Sequence, residues 1–400
     1  MISPDPYVLD PLPDYPLRKA FREFYPSYEA SHDISTVQEK AAGCISRCKT
    51  GELGYTASYC PECGFQKIRA RSCNNRSCPC CQAPLEQKWV MERNSELISG
   101  IAYYHVIFTL PKELNDLMLV NQKVLYDLLF SAATQTLLAL CMDRKYMGAV
   151  PGIVSVLHTW GQTLSFHPHL HVMLSGGGLN RAGQFVETRH KGFIIPVRVL
   201  GKLFRGKFLY GLKALRAAHA LNYSAKASRL QEDENWKNFL DLLYSKTWVP
   251  FVKETFNGNG NAVKYLARYA YRTAISNSRI RAVTDSQVVI SYTDYADSNL
   301  KKELSFSGEE FVESFLRHIL PQGFHRVRFS GFLANCVKTK NLTHIGFLRA
   351  TPYTGNPVKG KRTAKLLFMI YGTDICTCPN CHHQLITGFM AHAPDSSVTE

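Results

Sequence analysis

The chain has 400 residues, 45% of them hydrophobic, with a formal net charge of +15, 12% aromatic residues and 13 cysteines. This is enough apolar material for a globular protein of two or three domains, and it excludes a disordered chain. The charge points to a polyanion, nucleic acid first and acidic membrane second, and aromatic rings could stack on unpaired bases.

No stretch reads as approaching the length of a membrane span. The N-terminus, with Asp5, Asp10 and Asp14 among prolines, lacks the basic start and apolar run of a signal peptide, so a cytoplasmic protein is expected. In that reducing compartment cysteines point to metal before disulfides, and eight of them lie between Cys44 and Cys81.

Residues 1–30 alternate Pro, Tyr and Asp without periodicity and read as an irregular arm. A small cysteine-rich module, 31–95, follows. Cys60-Pro-Glu-Cys63 and Cys78-Pro-Cys-Cys81 are two Cys-x-x-Cys knuckles, the arrangement in which two turns present four thiolates to one tetrahedral zinc. One structural zinc is therefore expected on Cys60, Cys63, Cys78 and Cys81. Cys44, Cys48, Cys73 and Cys80 remain for a second zinc site, with free core cysteines as the alternative. Arg69, Arg71 and Arg76 would give this DNA-binding module a basic face for phosphates.

A larger domain, 96–335, opens with the β-rich run Tyr103 to Leu110 and a helical pattern from Leu114 to Cys141. A strand from Gly152 to Leu157 then leads through a bend to His167-Pro-His169-Leu-His171. Alternation puts the three histidines on one strand face and Leu170, Val172 and Leu174 on the other, which makes a metal-binding edge. His105 and His158 read as structural. A hairpin is expected over 185–199. A helical insertion is expected over about 201–256, its Lys202, Arg205, Lys207, Lys213, Arg216, Lys226 and Arg229 forming either a solvated face or a phosphate-tracking surface.

After the Asn/Gly breaker at 257–261 a helix should carry Tyr265 and Tyr269, four apart and so on one face, with Arg268 and Arg272 as a second aligned pair suited to a scissile phosphate. Strands near 280–283, 288–292 and 303–306, a helix at 309–319 and a strand at 325–332 complete the domain. The tail, 336–400, holds the weak knuckle Cys376-Thr-Cys378-Pro-Asn-Cys381, with Cys336 or a neighbouring histidine as a further ligand of a third zinc.

A phenol with a pKa of about 10 is almost wholly protonated at neutral pH and needs help as a nucleophile. A divalent ion on His169 and His171 would polarise a scissile phosphate for attack by a tyrosine, leaving a 5′-phosphotyrosine and a free 3′-hydroxyl. Two tyrosines on one face allow two successive strand transfers.

With these residues the chain resembles the HUH-superfamily, two-tyrosine transposases of the rolling-circle IS91 type, which carry an N-terminal zinc-binding domain. The likeness runs in order through Ser72-Cys73-Asn-Asn-Arg76-Ser77-Cys78-Pro-Cys-Cys81-Gln82, His105-Val-Ile-Phe-Thr-Leu-Pro111, His158-Thr-Trp-Gly161, His167-Pro-His-Leu-His171, Tyr265-Leu-Ala-Arg-Tyr269 and Leu320-Pro-Gln-Gly-Phe324. It implies an α+β fold with a central antiparallel sheet flanked by helices. It further implies His169 and His171 as ligands of catalytic magnesium or manganese, and Tyr265 and Tyr269 as nucleophiles. Single-stranded DNA of transposon ends and target is the implied partner, in the bacterial cytoplasm at the nucleoid, with no membrane and no small-molecule cofactor.

The third metal ligand does not carry over; His167 is the choice on strand face, with His105 and Gln162 as alternatives. Where the family's zinc block carries histidines, this chain has Ser77 and a His-free stretch around Tyr55, so Cys44 and Cys80 are the implied substitutes. The competing readings are a rolling-circle replication initiator and a non-catalytic zinc-dependent DNA-binding protein.

Overall fold

The structure is a computed structural model that describes residues 15–188, 194–255, 261–295 and 297–392 and the backbone of Val8 and Leu9; for Tyr265 and Arg268 it describes the helix backbone only. The chain begins with β1 (Val8–Leu9), α1 (Pro16–Ser31), α2 (Thr36–Arg47), β2 (Tyr55–Tyr59), β3 (Gln66–Ala70) and α3 (Pro79–Asn94). Next come β4 (Tyr103–Thr109), α4 (Asn115–Val120), α5 (Gln122–Met142), β5 (Val150–Trp160), β6 (Phe166–Leu179) and β7 (Phe185–Glu187), then α6 (Val197–Ala217), α7 (Asp233–Ser245), β8 (Phe251–Thr255) and α8 (Asn261–Ala270). The chain closes with β9 (Ile280–Val283), β10 (Gln287–Asp294), β11 (Leu300–Ser307), α9 (Gly308–Leu316), β12 (Val327–Gly331), α10 (Lys338–Leu348), α11 (Thr363–Tyr371) and β13 (Ile386–Met390).

Among the described residues the central sheet runs β12-β5-β6-β4-β8, with β7 added to β6, and every pairing in it is antiparallel. Its strands alternate between two buried faces. Tyr104, Val106, Phe108, Leu170, Val172 and Leu174 point to the back, where they pack on Leu129 and Phe130 of α5, Phe204 and Phe208 of α6 and Leu243 of α7. Tyr103, Val154, Val156 and Met173 point to the front. There they meet Val263, Leu266, Ala267 and Ala270 of α8, Trp89 and Val90 of α3, and Leu342 and Ile345 of α10. The spacing of those α8 residues makes one apolar stripe, so the helix lies on the sheet by that stripe.

Four expectations change. The stretch read as an irregular arm contains α1, whose Leu17, Ala20, Phe21, Phe24, Tyr25 and Tyr28 form a buried stripe. Pro16 falls in its first turn, where a missing N–H costs nothing, and Phe21 meets Phe315 of α9 edge-on at 5.1 Å. The region read as helical to 256 ends in a strand, since β8 joins the sheet edge with Phe251 opposite Ile107. Of the expected hairpin at 185–199, β7 forms, Arg189 to Phe193 lie outside the described residues, and α6 already starts at Val197. α5, with 21 residues, is long and apolar enough to cross a membrane by length and composition, but Leu125, Tyr126, Leu129, Phe130, Ala133 and Leu137 make it the core helix behind the sheet.

The first sheet, β1-β3-β2-β13, joins the cysteine-rich module to the tail, and β11-β10-β9 forms the third.

Candidate metal and nucleophile site

The site grows from the middle of the central sheet. In β6, His169 and His171 alternate onto the front face, and His158 of β5 is the direct cross-strand partner of His169. Antiparallel partners share a face, so three imidazoles converge, their ligand nitrogens all within 4.8 Å of one another.

Each ring is held by the nitrogen it does not aim inward. His169 Nδ1 lies 2.6 Å from the His167 carbonyl, and His158 Nε2 lies 2.8 Å from the Tyr269 carbonyl. A carbonyl only accepts, so both nitrogens carry protons, leaving lone pairs on His169 Nε2 and His158 Nδ1. His171 Nδ1 pairs with His105 Nε2 at 2.9 Å, and the tautomer that donates from His171 frees its Nε2, which sits 3.1 Å from His169 Nε2. In that tautomer the two lone pairs face each other and a cation between them would relieve their repulsion, so the donor set fits a divalent metal. Burial is the main reason that His158 and His171 sit well below the usual histidine pKa and that His169 falls to about 4; neighbouring imidazoles add to the effect, as does the Arg272 guanidinium for His158 and His171. The rings are therefore neutral at physiological pH, as ligation requires.

α8 delivers the tyrosines. The Tyr269 ring stacks on His171 with centroids 3.8 Å apart and lies 5.1 Å from the His158 ring. Residue 265 stands one turn earlier on the helix backbone; its side chain, like that of Arg268, lies outside the described residues.

His158 thus takes the place expected for His167, which contributes its backbone carbonyl, while His105 supports His171 from behind. The other alternative, Gln162, turns away, its side chain donating to the Tyr295 hydroxyl at 3.1 Å. The signal missed was the pairing of β5 with β6 through a bulge between His158 and Trp160.

Expected basic contacts also change. Arg76 donates to the carbonyls of Phe324, Leu320 and Pro321 at 2.7–3.0 Å, so its guanidinium clamps the chain rather than presenting itself to phosphate. Arg205 and Arg216 likewise bond carbonyls of 244, 246, 230 and 231. Arg272 remains exposed beside the histidines.

The four thiols of the two N-terminal knuckles do not come together as expected. Cys78 and Cys81 gather with Cys48 and Cys73, Cys81 Sγ lying 3.7 Å from each of the latter two. Cys60 and Cys63 gather with Cys378 and Cys381 of the tail. The reason is the β2–β3 hairpin, whose turn carries Cys60 and Cys63 at the end far from Cys73. Cys44 stands outside both groups, Cys80 Sγ accepts from Asn277 at 3.4 Å, and the Cys376 N–H donates to Asp374 at 2.8 Å.

A helix-flanked antiparallel sheet with a His-x-His strand at its centre, together with a cysteine-rich N-terminal module, makes this an α+β protein with a histidine cluster and two thiol clusters. Residues 152–341 match the family described as "Putative transposase", and residues 20–110 match the family described as "Transposase zinc-binding domain". The chain is 35% identical over 371 residues, 92% of its length and 93% of the relative's, to "Putative transposase y4qJ" of Sinorhizobium fredii. It is 27% identical to the transposase for insertion sequence element IS801 of Pseudomonas savastanoi pv. phaseolicola, covering 76% of this chain and 71% of that one. The conjugative relaxase TrwC, solved with oriT DNA in a copper-bound form, overlaps at TM-score 0.23 and 11% identity over 41% of this chain and 68% of its own, a likeness too slight to carry an argument. The chain belongs to the IS91-type transposases with an N-terminal zinc-binding domain: it is a DNA-processing enzyme.

Proposed function

We propose that the protein nicks and rejoins single-stranded DNA at the ends of its element through tyrosine-linked intermediates. The observation that carries this reading is the stacking of Tyr269 on His171 within the histidine cluster. The phenolic oxygen of Tyr269, or of Tyr265 one turn away, attacks the scissile phosphorus. The bond to the 3′ oxygen breaks, the phenol proton passes to solvent or base, and the departing 3′ oxygen takes up a proton. The product is a 5′-phosphotyrosine whose bond energy is conserved for rejoining to a second strand, and a second tyrosine lets the two exchanges follow each other.

His158, His169 and His171 would hold a divalent cation, replacing His167 in the expected set. Of magnesium and manganese, three imidazole donors favour manganese. Bound there, the cation would polarise the scissile phosphate and stabilise charge on its oxygens. Burial of the ligands keeps their protons off, the His105 and His167 contacts orient two of the rings, and exposed Arg272 offers a charge to a flanking phosphate. Such an enzyme works at the cell's DNA, in the cytoplasm at the nucleoid.

The test is a denaturing gel of labelled single-stranded DNA from the element's ends, incubated with the protein and manganese. A band that survives denaturation and disappears with chelator supports strand transfer through tyrosine. Native binding with no covalent band on any end sequence refutes it and leaves a zinc-bearing DNA-binding protein.

A further inference from the structure

The tail beyond residue 341 lies outside both matched families, yet the structure returns it to the N-terminal module. β13 pairs with β2 along its whole length, from Ile386 opposite Tyr59 to Met390 opposite Tyr55. Thr387 Oγ1 meets Ser58 Oγ at 3.1 Å, and the Arg71 guanidinium lies over the Phe389 ring at 5.0 Å. Gly54 permits this docking, since a Cβ there would fall 2.6 Å from Phe389.

The two knuckles brought together are twins. In the first, the Cys60 N–H donates to the Phe65 carbonyl at 2.8 Å and the Gly64 N–H to the Cys60 carbonyl at 3.0 Å. In the second, Cys378 and His383 make the former bond at 2.8 Å, and His382 and Cys378 the latter at 3.0 Å. Each turn places the residue after its second cysteine at positive φ, 74° at Gly64 and 62° at His382. His382 accepts a conformation that disfavours a side chain, and so repeats the knuckle geometry.

Across the gap Cys60 Sγ stands 3.4 Å from Cys381 Sγ, and Cys63 Sγ 3.5 Å from Cys378 Sγ. These separations are too long for a disulfide. They approach the roughly 3.8 Å edge of a tetrahedron of thiolates at about 2.3 Å from one zinc. Cys60 and Cys378 are fully buried, whereas Cys63 is exposed, so ligands enter from both the interior and the rim.

We infer that Cys60, Cys63, Cys378 and Cys381 bind one zinc ion together, as a ribbon-type clasp built from the two ends of the chain. It is a second structural zinc beside that of Cys48, Cys73, Cys78 and Cys81. Binding replaces S–H bonds by S–Zn bonds and releases the thiol protons to solvent. The zinc-binding module of this transposase is therefore complete only when residues up to 390 are present, and a chain that stops after 341 leaves Cys60 and Cys63 with half a ligand set.

The test counts zinc in the full chain, purified without chelator, by inductively coupled plasma mass spectrometry. Wild type and the Cys376→Ser control should carry two zinc ions per chain. Cys378→Ser/Cys381→Ser should carry one, and limited proteolysis should then remove its tail. A double variant that keeps the wild-type zinc content overturns the clasp. Should that variant fail to fold, cadmium-113 NMR of the cadmium-substituted wild-type protein decides: two resonances in the all-thiolate range support the clasp, and a single one refutes it.

Discussion

His158 on β5 faces His169 on β6 as its direct cross-strand partner, and that pairing makes a triad of what would otherwise be two histidines on one strand. His158→Ala should abolish manganese binding at concentrations that saturate the wild type. His167→Ala should leave binding nearly intact, because His167 contributes only its carbonyl. Titration calorimetry separates the two; equal losses in both variants would return His167 to the ligand set.

The His105–His171 contact at 2.9 Å orients the His171 ring from behind. His105→Ala should weaken manganese affinity roughly 10–100-fold, the usual effect of removing a partner of a metal-bound histidine. The circular dichroism spectrum should stay unchanged. Unaltered affinity would show that burial alone orients His171.

Replacing Tyr269 by Phe removes a hydroxyl and retains the ring stacked on His171. Tyr269→Phe and Tyr265→Phe should each bind end DNA as wild type does while losing one of two covalent steps, and the double variant should form no adduct. Persistence of adduct in the double variant, measured with radiolabelled DNA on a denaturing gel, would reassign the nucleophile.

His318 tests the pH dependence of the fold away from the metal site. Its Nδ1 meets Thr159 Oγ1 at 3.2 Å and its Nε2 the Leu164 carbonyl at 3.0 Å, and burial pushes its pKa down to about 4. The unfolded chain then binds the proton more readily than the folded one between about pH 6.5 and 4. The neutral ring is fully compatible with the fold above that window, and stability falls as pH drops through it, by up to about 3 kcal/mol for this group. In urea denaturation, His318→Gln should flatten the slope between pH 6.5 and 4; an unchanged slope would place the titration elsewhere.

Arg76 clamps the carbonyls of Leu320, Pro321 and Phe324 from the cysteine-rich module. Arg76→Ala should destabilise the protein by about 3 kcal/mol, since a charged donor is lost to three acceptors. The folded fraction should bind DNA with the wild-type salt dependence. A reduced salt slope with unchanged melting temperature would instead mark Arg76 as a phosphate contact.

Much of this site follows from short-range pattern. Alternation in 167–171 sets His169 and His171 on one face whatever strand lies beside them, and the spacing of Val263, Leu266, Ala267 and Ala270 makes α8 an amphipathic helix with Tyr269 beside its buried stripe. Partners distant in the chain depended on tertiary structure. Trp160 pairs with Phe166, and without the bulge beyond it His158 would face Pro168, on the side of the sheet that carries Leu170. One extra residue in the ladder moves His158 opposite His169 and onto the metal face. Cysteine spacing likewise identified metal-binding knuckles, yet thiolates carry no record of their partners. The β2–β3 hairpin and the return of β13 separate Cys60 from Cys78 and bring it to Cys381. Local sequence determined which residues could ligate, because ligand chemistry and strand alternation are local; which of them met was decided by register and chain return, which depend on packing across the whole molecule.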